Sequence, residues 1–492
     1  MRPVRQQRSP ERRSAAPARL AVIAVSLLSS SAFAQERDAG AEAEPAGYPA
    51  QANGDGSTHR AFSPQRWAED WRPDIDKDHP DELLDRAKYL RIGPGPDTYL
   101  TLSGNVRLRA DSVSNPDLER GPARVQLLRR VHLGADLHWG DHVRIYSEIA
   151  HGDVMGDRAR ESPGTFHNAL ALQQAFAEVG GEFGTLDAGV RFGRQEFTDG
   201  PAHLVSARDN NSVRLTMNGL RGWLRGRRVR IDLFEFRPTL YGRGGTGDDR
   251  SDPSRRFSGA TLGITIGDDN DMFLEPFLWR DHNQRAAWGA ERSESERYYG
   301  GARLWGKSGR LTFDWSANRQ WGHFGARPID AWQVSGWQAL DIAAPPLLRF
   351  SIGFDYASGG ASHGRQQTAD APFGNGTYLS YGLFLTPSNL IAASAGVSGA
   401  PTSTLRISFD YRRAWKADDA DAVYRAGGKV YAGTDRPTPR RIADIARLEA
   451  QWTLAPRAMI MMRVERLHAG SALRAAGHVG SSAVTGWLTL RF

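Results

Sequence analysis

The chain has 492 residues, a formal charge of +7, 14 Trp, 53 Gly and no Cys. Without cysteine there are neither disulfides nor thiolate metal sites. Its mean hydropathy is −0.51, and no apolar run after residue 34 approaches the roughly 20 residues of a membrane helix, which excludes a helical membrane protein. A transmembrane barrel stays open, because alternating strands average out in hydropathy.

The N-terminus reads as an export signal. Arg2, Arg5, Arg8, Arg12, Arg13 and Arg19 precede the apolar run Leu20–Leu28 and then Ala32-Phe33-Ala34. That order predicts a Sec signal peptide over 1–34, cleaved after Ala34. Arg12-Arg13 lacks the apolar follow-on of a twin-arginine signal. Residues 35–60, rich in Ala, Glu and Gly, read as a disordered linker, and 61–97 as an N-terminal segment at the periplasmic mouth or in the lumen.

From residue 98 to 492 the pattern is period-2 alternation, with no convincing amphipathic helix. The expected strands are 98–111, 124–139, 142–151, 169–180, 185–197, 212–225, 227–238, 258–267, 272–281, 297–306, 310–321, 329–341, 346–357, 389–397, 403–415, 443–455, 457–468 and 480–492. Connections alternate in length: 112–123 is long and 140–141 short, 152–168 long and 181–184 short, and so on, with 282–296 among the long ones and 322–328 intermediate. A soluble sandwich has no reason to gather its long loops at one end. An all-β, antiparallel up-and-down outer-membrane barrel of about 18 strands does, with short periplasmic turns and long extracellular loops. The last strand then closes the wall, and Phe492 faces lipid in register with Val484, Leu488 and Leu490.

Alternation also assigns faces. Leu127 to Leu137 on odd numbers, Leu348/Phe350/Ile352/Phe354 and Leu405/Ile407/Phe409 read as lipid-facing. Inward positions carry many arginines, of which Arg107, Arg109, Arg130, Arg191, Arg447 and Arg463 fall nearest mid-wall, together with carboxylates such as Glu449. Only five lysines accompany the arginines. A planar guanidinium fork engages carboxylate or phosphate bidentately, so this set suits an anionic solute, while a lattice of ion pairs stiffening a wet lumen is the competing reading. Eighteen strands enclose a wide lumen, and inward-folded loops or residues 60–97 are expected to narrow it.

Other motifs carry little. Gly242-Arg243-Gly244-Gly245-Thr246-Gly247 matches a dinucleotide fingerprint, but no helix follows it. His138 and His142 flank the Gly140-Asp141 turn and lack a third metal ligand. No nucleophile elbow is present. Neither a cofactor, a metal nor a catalytic residue is assigned.

One resemblance is specific. Arg66-Trp67-Ala68-Glu69-Asp70-Trp71, Lys88-Tyr89-Leu90, and Tyr99-Leu100-Thr101-Leu102-Ser103-Gly104 with Arg107 and Arg109 resemble the opening of alginate export barrels. So does the run from Gln174-Ala175-Phe176 and Gly193-Arg194-Gln195-Glu196 through Asp199-Gly200, Arg208, Asn211 and Arg214 to Asn218-Gly219. Asp355-Tyr356-Ala357-Ser358-Gly359 and Asn389-Leu390 extend the likeness over roughly 62–492, although Gly360 stands where an acidic residue is common. The resemblance implies an 18-stranded barrel passing an anionic polyuronate outward through an arginine-lined constriction, and it adds Arg194, Glu196 and Arg208 to the candidate solute-binding residues. Its implied partners are an alginate-like polysaccharide, outer-membrane lipid, the barrel-assembly machinery and periplasmic export components, with no nucleic acid. An uptake porin for small organic anions is the alternative.

Overall fold

The computed structural model describes residues 58–59, 62–72, 83–267, 271–342, 347–362 and 364–492. The expected signal peptide and nearly all of the linker lie outside them. Eighteen antiparallel strands form a closed barrel. They are β1 (Thr98–Val113), β2 (Arg124–Trp139), β3 (Val143–Gly156), β4 (Asn168–Phe183), β5 (Leu186–Gln195) and β6 (Met217–Arg225). Next come β7 (Val229–Leu240), β8 (Arg255–Ile266), β9 (Met272–Trp288), β10 (Glu291–Ser308), β11 (Leu311–Phe324) and β12 (Arg327–Ile342). The last six are β13 (Leu347–Ala357), β14 (Leu390–Ala400), β15 (Leu405–Trp415), β16 (Arg441–Ala455), β17 (Ala458–Ala469) and β18 (Ser481–Arg491). Closure comes from β18 pairing with β1, Trp487 opposite Arg109 and Thr489 opposite Arg107. No edge is left to expose unpaired backbone to hydrocarbon.

The alternation sorts side chains as expected. On β2, Val125, Leu127 and Leu133 are exposed while Leu128, Arg130, His132 and Asp136 are buried. On β18, Val484 and Leu490 face out and Trp487, Thr489 and Arg491 are buried. Phe492 continues the outward parity, and its ring lies over Gly104, where a Cβ would stand 2.0 Å away. Only glycine admits the ring there.

Two connections depart from expectation. Residues 282–296 are not a long loop, because β9 and β10 stay paired out to Trp288 opposite Glu291, with one bulge at Asn283/Ala286. Gly289 (φ +56°) lets the chain turn there. These strand ends are largely polar, so alternation could not reveal them; ladder hydrogen bonds hold them, with Ala286 and Trp288 packed on the loop-side core. Gly325 (φ +56°) likewise tightens 322–328 into a short hairpin. Conversely, β6 starts at Met217 instead of 212, because the preceding residues belong to a loop that turns inward.

That loop (196–216) and the β13–β14 loop (358–389) meet inside the barrel. Val205 bridges Phe373, the Ser206 amide donates to the Phe373 carbonyl at 3.0 Å, and the Phe373 amide donates to the Leu204 carbonyl at 3.0 Å. Phe197, Leu204, Val205 and Phe373 pack on the inward rings Phe234, Phe236, Phe257 and Trp279 as one apolar cluster. At the short-turn end, Arg66 donates to the Phe492 carbonyl, and Trp67 stands edge-on to Phe176 at 6.1 Å. Loops and N-terminal segment both narrow the lumen.

Candidate functional site

Arg107 on β1 and Arg130 on β2 are directly opposed across the ladder. Like charges so placed repel, and the inward loop supplies what offsets them. Asp209, at the tip of 196–216, sets Oδ2 2.8 Å from Arg107 Nη2 and Oδ1 3.0 Å from Arg130 Nη1. Arg214 Nη2 closes on the same Oδ1 at 2.6 Å. One carboxylate therefore sits in a seat of three guanidinium groups. Burial alone would raise the Asp209 carboxyl, but Arg107, Arg130 and Arg214 hold it well below the usual carboxylate range. Its side chain nevertheless keeps 38% exposure. Beside it Arg109 Nη1 binds the Asn210 carbonyl and side-chain oxygens, both at 2.9 Å. The residual cavity between Arg107, Arg109, Arg130, Asn210 and Ser212 is about 10 Å³, room for one water at most.

From this seat the arginines continue along one sector of the wall, separated by aromatic rings. Trp487 lies 5.3 Å from the Arg107 guanidinium, 5.8 Å from Arg109 and 5.0 Å from Arg463. Tyr381, carried in by loop 358–389, lies 4.7 Å from Arg463 and 4.8 Å from Arg447. Arg463 and Arg447 each have a carboxylate of their own. Arg463 Nε donates to Glu449 at 2.6 Å and Arg447 Nε to Asp410 at 2.9 Å. Glu465 in turn accepts the Ser380 hydroxyl and the Tyr381 amide, both at 2.6 Å, and so fixes the loop that carries the ring.

Residues 98–486 match the family model described as alginate export. The chain belongs to the alginate export family. No curated protein sequence matches it significantly. Among solved structures, this family member is similar to OccD3 (OpdP) of Pseudomonas aeruginosa, at 13% identity and a TM-score of 0.55 over 83% of this chain and 93% of that one. It is also similar to P. aeruginosa OpdK, solved with vanillate (10% identity, TM-score 0.53, 80% and 99% covered). The outer membrane protein OprD of the same organism is a third (11%, 0.51, 80% and 93%). At these identities the likeness is one of fold: a closed outer-membrane barrel.

Not every candidate residue of this alginate-export barrel reaches the sector. Arg191 lies apart, bonded to Glu178 at 2.7 Å and stacked 4.0 Å from Trp67 of the N-terminal segment. Arg194 is displaced from the expected lumen site, because it has the opposite parity to Arg191. It donates to the Leu172 carbonyl at 2.8 Å and to Asn218 at 3.0 Å, near the long-loop end. Arg208 (φ +59°) turns away from its neighbour Asp209 and donates to the Gly374 carbonyl of the second loop at 3.1 Å. Glu196 supports the seat from behind, 3.3 Å from Arg214, and burial, opposed by Arg214 and reinforced by Glu148, pushes its carboxyl up to about 7.

His138 stacks on Tyr99 at 4.5 Å whereas His142 bonds the Gly180 carbonyl at 3.2 Å, and no metal-ligand cluster occurs among the described residues. The 242–247 glycines form a loop folded around the Asp248 carboxylate. Sequence reasoning missed Asp209, Tyr381 and Trp487. For Asp209 a signal existed: Arg208-Asp209-Asn210-Asn211 is turn chemistry, which breaks the alternation where a strand was expected to approach.

Proposed function

We propose that this barrel is an outer-membrane channel that passes an anionic polyuronate, alginate or a polymer like it, outward along the β1–β2/β16–β18 sector. One observation carries the reading: Asp209 presents a carboxylate to three guanidinium groups, which is the chemistry a uronate residue would present in its place. Charge-assisted, bidentate contacts make such a seat selective for carboxylates. Beyond it Trp487, Arg463, Tyr381 and Arg447 continue the sequence of cation and ring. Conduction needs several weak sites instead of one strong one, and pairing each arginine with Glu449, Asp410, Asp209 or, for Arg109, Asp111 weakens it for that purpose. The candidate solute-binding residues are thus Arg107, Arg109, Arg130, Arg447 and Arg463, with Glu449 moderating. The protein acts as a channel and not as a catalyst.

The second reading, uptake of small organic anions, has in its favour the fold shared with OpdK, whose structure contains vanillate. Planar-bilayer conductance of the purified barrel separates them. Export of polyuronate predicts block by oligomannuronate that strengthens with chain length as more arginines are engaged. Block by monocarboxylates with no gain from longer oligouronates would favour uptake.

A further inference from the structure

The lipid-facing wall is lined with large apolar side chains, and β4 to β7 break that lining along one oblique line. In register, the row Val179–Val190–Gly222–Leu233 has a gap at Gly222. The next row toward the short-turn end, Gly181–Ala188–Leu224–Ile231, has its gaps at Gly181 and Ala188. Ala188 and Gly222, with Gly180 and Gly189 beside them, open an apolar trough of about 790 Å³ that runs to Phe183 and to His142, whose ring covers Gly181 at the rim. That volume lies within the roughly 300–1,000 Å³ of small-molecule sites.

The gap at Gly222 is not imposed by the protein's own packing. A Cβ there would meet nothing closer than the Gly189 carbonyl oxygen at 3.8 Å and Val190 Cγ2 at 3.9 Å. A larger side chain fits sterically, and the sequence leaves the space open. At the other end the His142 ring closes the trough, since a Cβ on Gly181 would fall 2.5 Å from its Nδ1.

The rim beside the trough carries charge of both signs, with Glu182 exposed at the β4–β5 turn and Arg227 on the β6–β7 turn. Leu224 and Ile231, opposed in register, lead directly into the turn Gly226-Arg227-Arg228, and Gly226 stands against Leu186 at the start of β5. Arg227 is exposed, and its side chain makes no hydrogen bond or ion pair among the described residues.

We propose that the trough holds an acyl chain of one anionic glycerophospholipid, with the lipid phosphate at Arg227. Arg227, exposed and without a partner among the described residues, offers its guanidinium to an anionic head group. Apolar burial supplies the hold on the chain, and the guanidinium supplies the preference for an anionic head group.

The test is native mass spectrometry of the full-length barrel, delipidated in detergent and then offered dioleoyl phosphatidylglycerol or dioleoyl phosphatidylcholine. One phosphatidylglycerol should be retained in preference to phosphatidylcholine. Filling the trough with Gly222→Leu and Ala188→Leu should abolish retention while heat-modifiable mobility stays normal. Arg227→Ala, on an exposed turn with no fold to disturb, should reduce phosphatidylglycerol retention about fivefold and leave phosphatidylcholine unchanged. Three results would overturn the proposal: undiminished retention in the filled variant, equal retention of both lipids with Arg227→Ala silent, or a dimer that disappears when the trough is filled.

Discussion

Replacing Asp209 by Asn keeps the shape of the loop tip and removes the one charge that three arginines share. Bonds to charged groups contribute about 1.5–3 kcal/mol each. Taking the low end for Arg107, Arg130 and Arg214 gives about 4.5 kcal/mol, and the 38% exposure of the Asp209 side chain argues for trimming this to about 3 kcal/mol. That corresponds to roughly 150-fold in the ratio of seated to unseated loop tip. The rest of the loop stays anchored, since Asp199 still bonds Arg230 and Thr261. In planar bilayers Asp209→Asn should raise open probability, strengthen anion preference and lower the oligomannuronate concentration needed for block. The sign with pH follows from the same contacts. A carboxyl held well below its usual range keeps the tip seated above that range, so acidifying from pH 7 to about 4 should leave the wild type closed. Unchanged gating in Asp209→Asn, or weaker block, would refute the idea that this carboxylate occupies the solute's place.

Further outcomes can be checked independently. Arg109→Glu with Arg463→Glu should reverse or abolish anion preference and oligomannuronate block, while Arg310→Glu at the short-turn rim should alter them far less, because solvent screens rim charge within about 8 Å; reversal potentials in a salt gradient decide. Deleting Phe492 uncovers Gly104 and should sharply reduce heat-modifiable, membrane-inserted protein on gels. Epitope tags at 245, 365 and 430 should be accessible on intact cells, and tags at 308 and 400 should not. Lys88 is buried 3.6 Å from Glu69, and burial, against the pull of Glu69, lowers its amine to about 7. An amine depressed on folding makes docking more favourable as pH rises from about 7 toward its ordinary value. Limited proteolysis within 62–72 should therefore slow between pH 7 and 10, and the slowing should vanish in Lys88→Met.

The wall was legible in the sequence because its two solvents differ so strongly. Val125, Leu127 and Leu133 against Arg130, His132 and Asp136 is a pattern that only one strand register satisfies. Placing Arg107, Arg109 and Arg130 beside Arg447 and Arg463 needed no more than parity and closure of β18 on β1. The interior was much less legible. Asp209 and Tyr381 lie on loops, and nothing periodic says that a loop turns inward, or that Asp209 will reach Arg107 from about a hundred positions away. The polar ends of β9 and β10 were lost for the opposite reason: beyond the hydrocarbon both faces are wet, and alternation carries no signal there. Arg194 shows the limit of carrying a motif over whole, since Glu196, of the same parity but past the strand end in the inward loop, reaches the seat while Arg194 is still on β5 and does not.

A lumen full of arginine has to remain folded when no solute is present, and this sets the design of the seat. Arg107 and Arg130, opposed on adjacent strands, need an anion at all times. A fixed carboxylate on the barrel wall would satisfy them permanently and leave no site. A carboxylate on a loop satisfies them only until a competing one arrives, and the exchange is of like for like, so the wall never meets an unpaired charge cluster. The same logic separates Asp209 from Glu449 and Asp410. Those two are strand residues, register-paired with Arg463 and Arg447, and cannot leave. They weaken the sites they hold, whereas Asp209 can vacate the site it fills. If the channel passes a polyuronate as proposed, the constriction would open at β1–β2 first, and the arginines of β16 and β17 would pass the chain onward without any rearrangement of the wall.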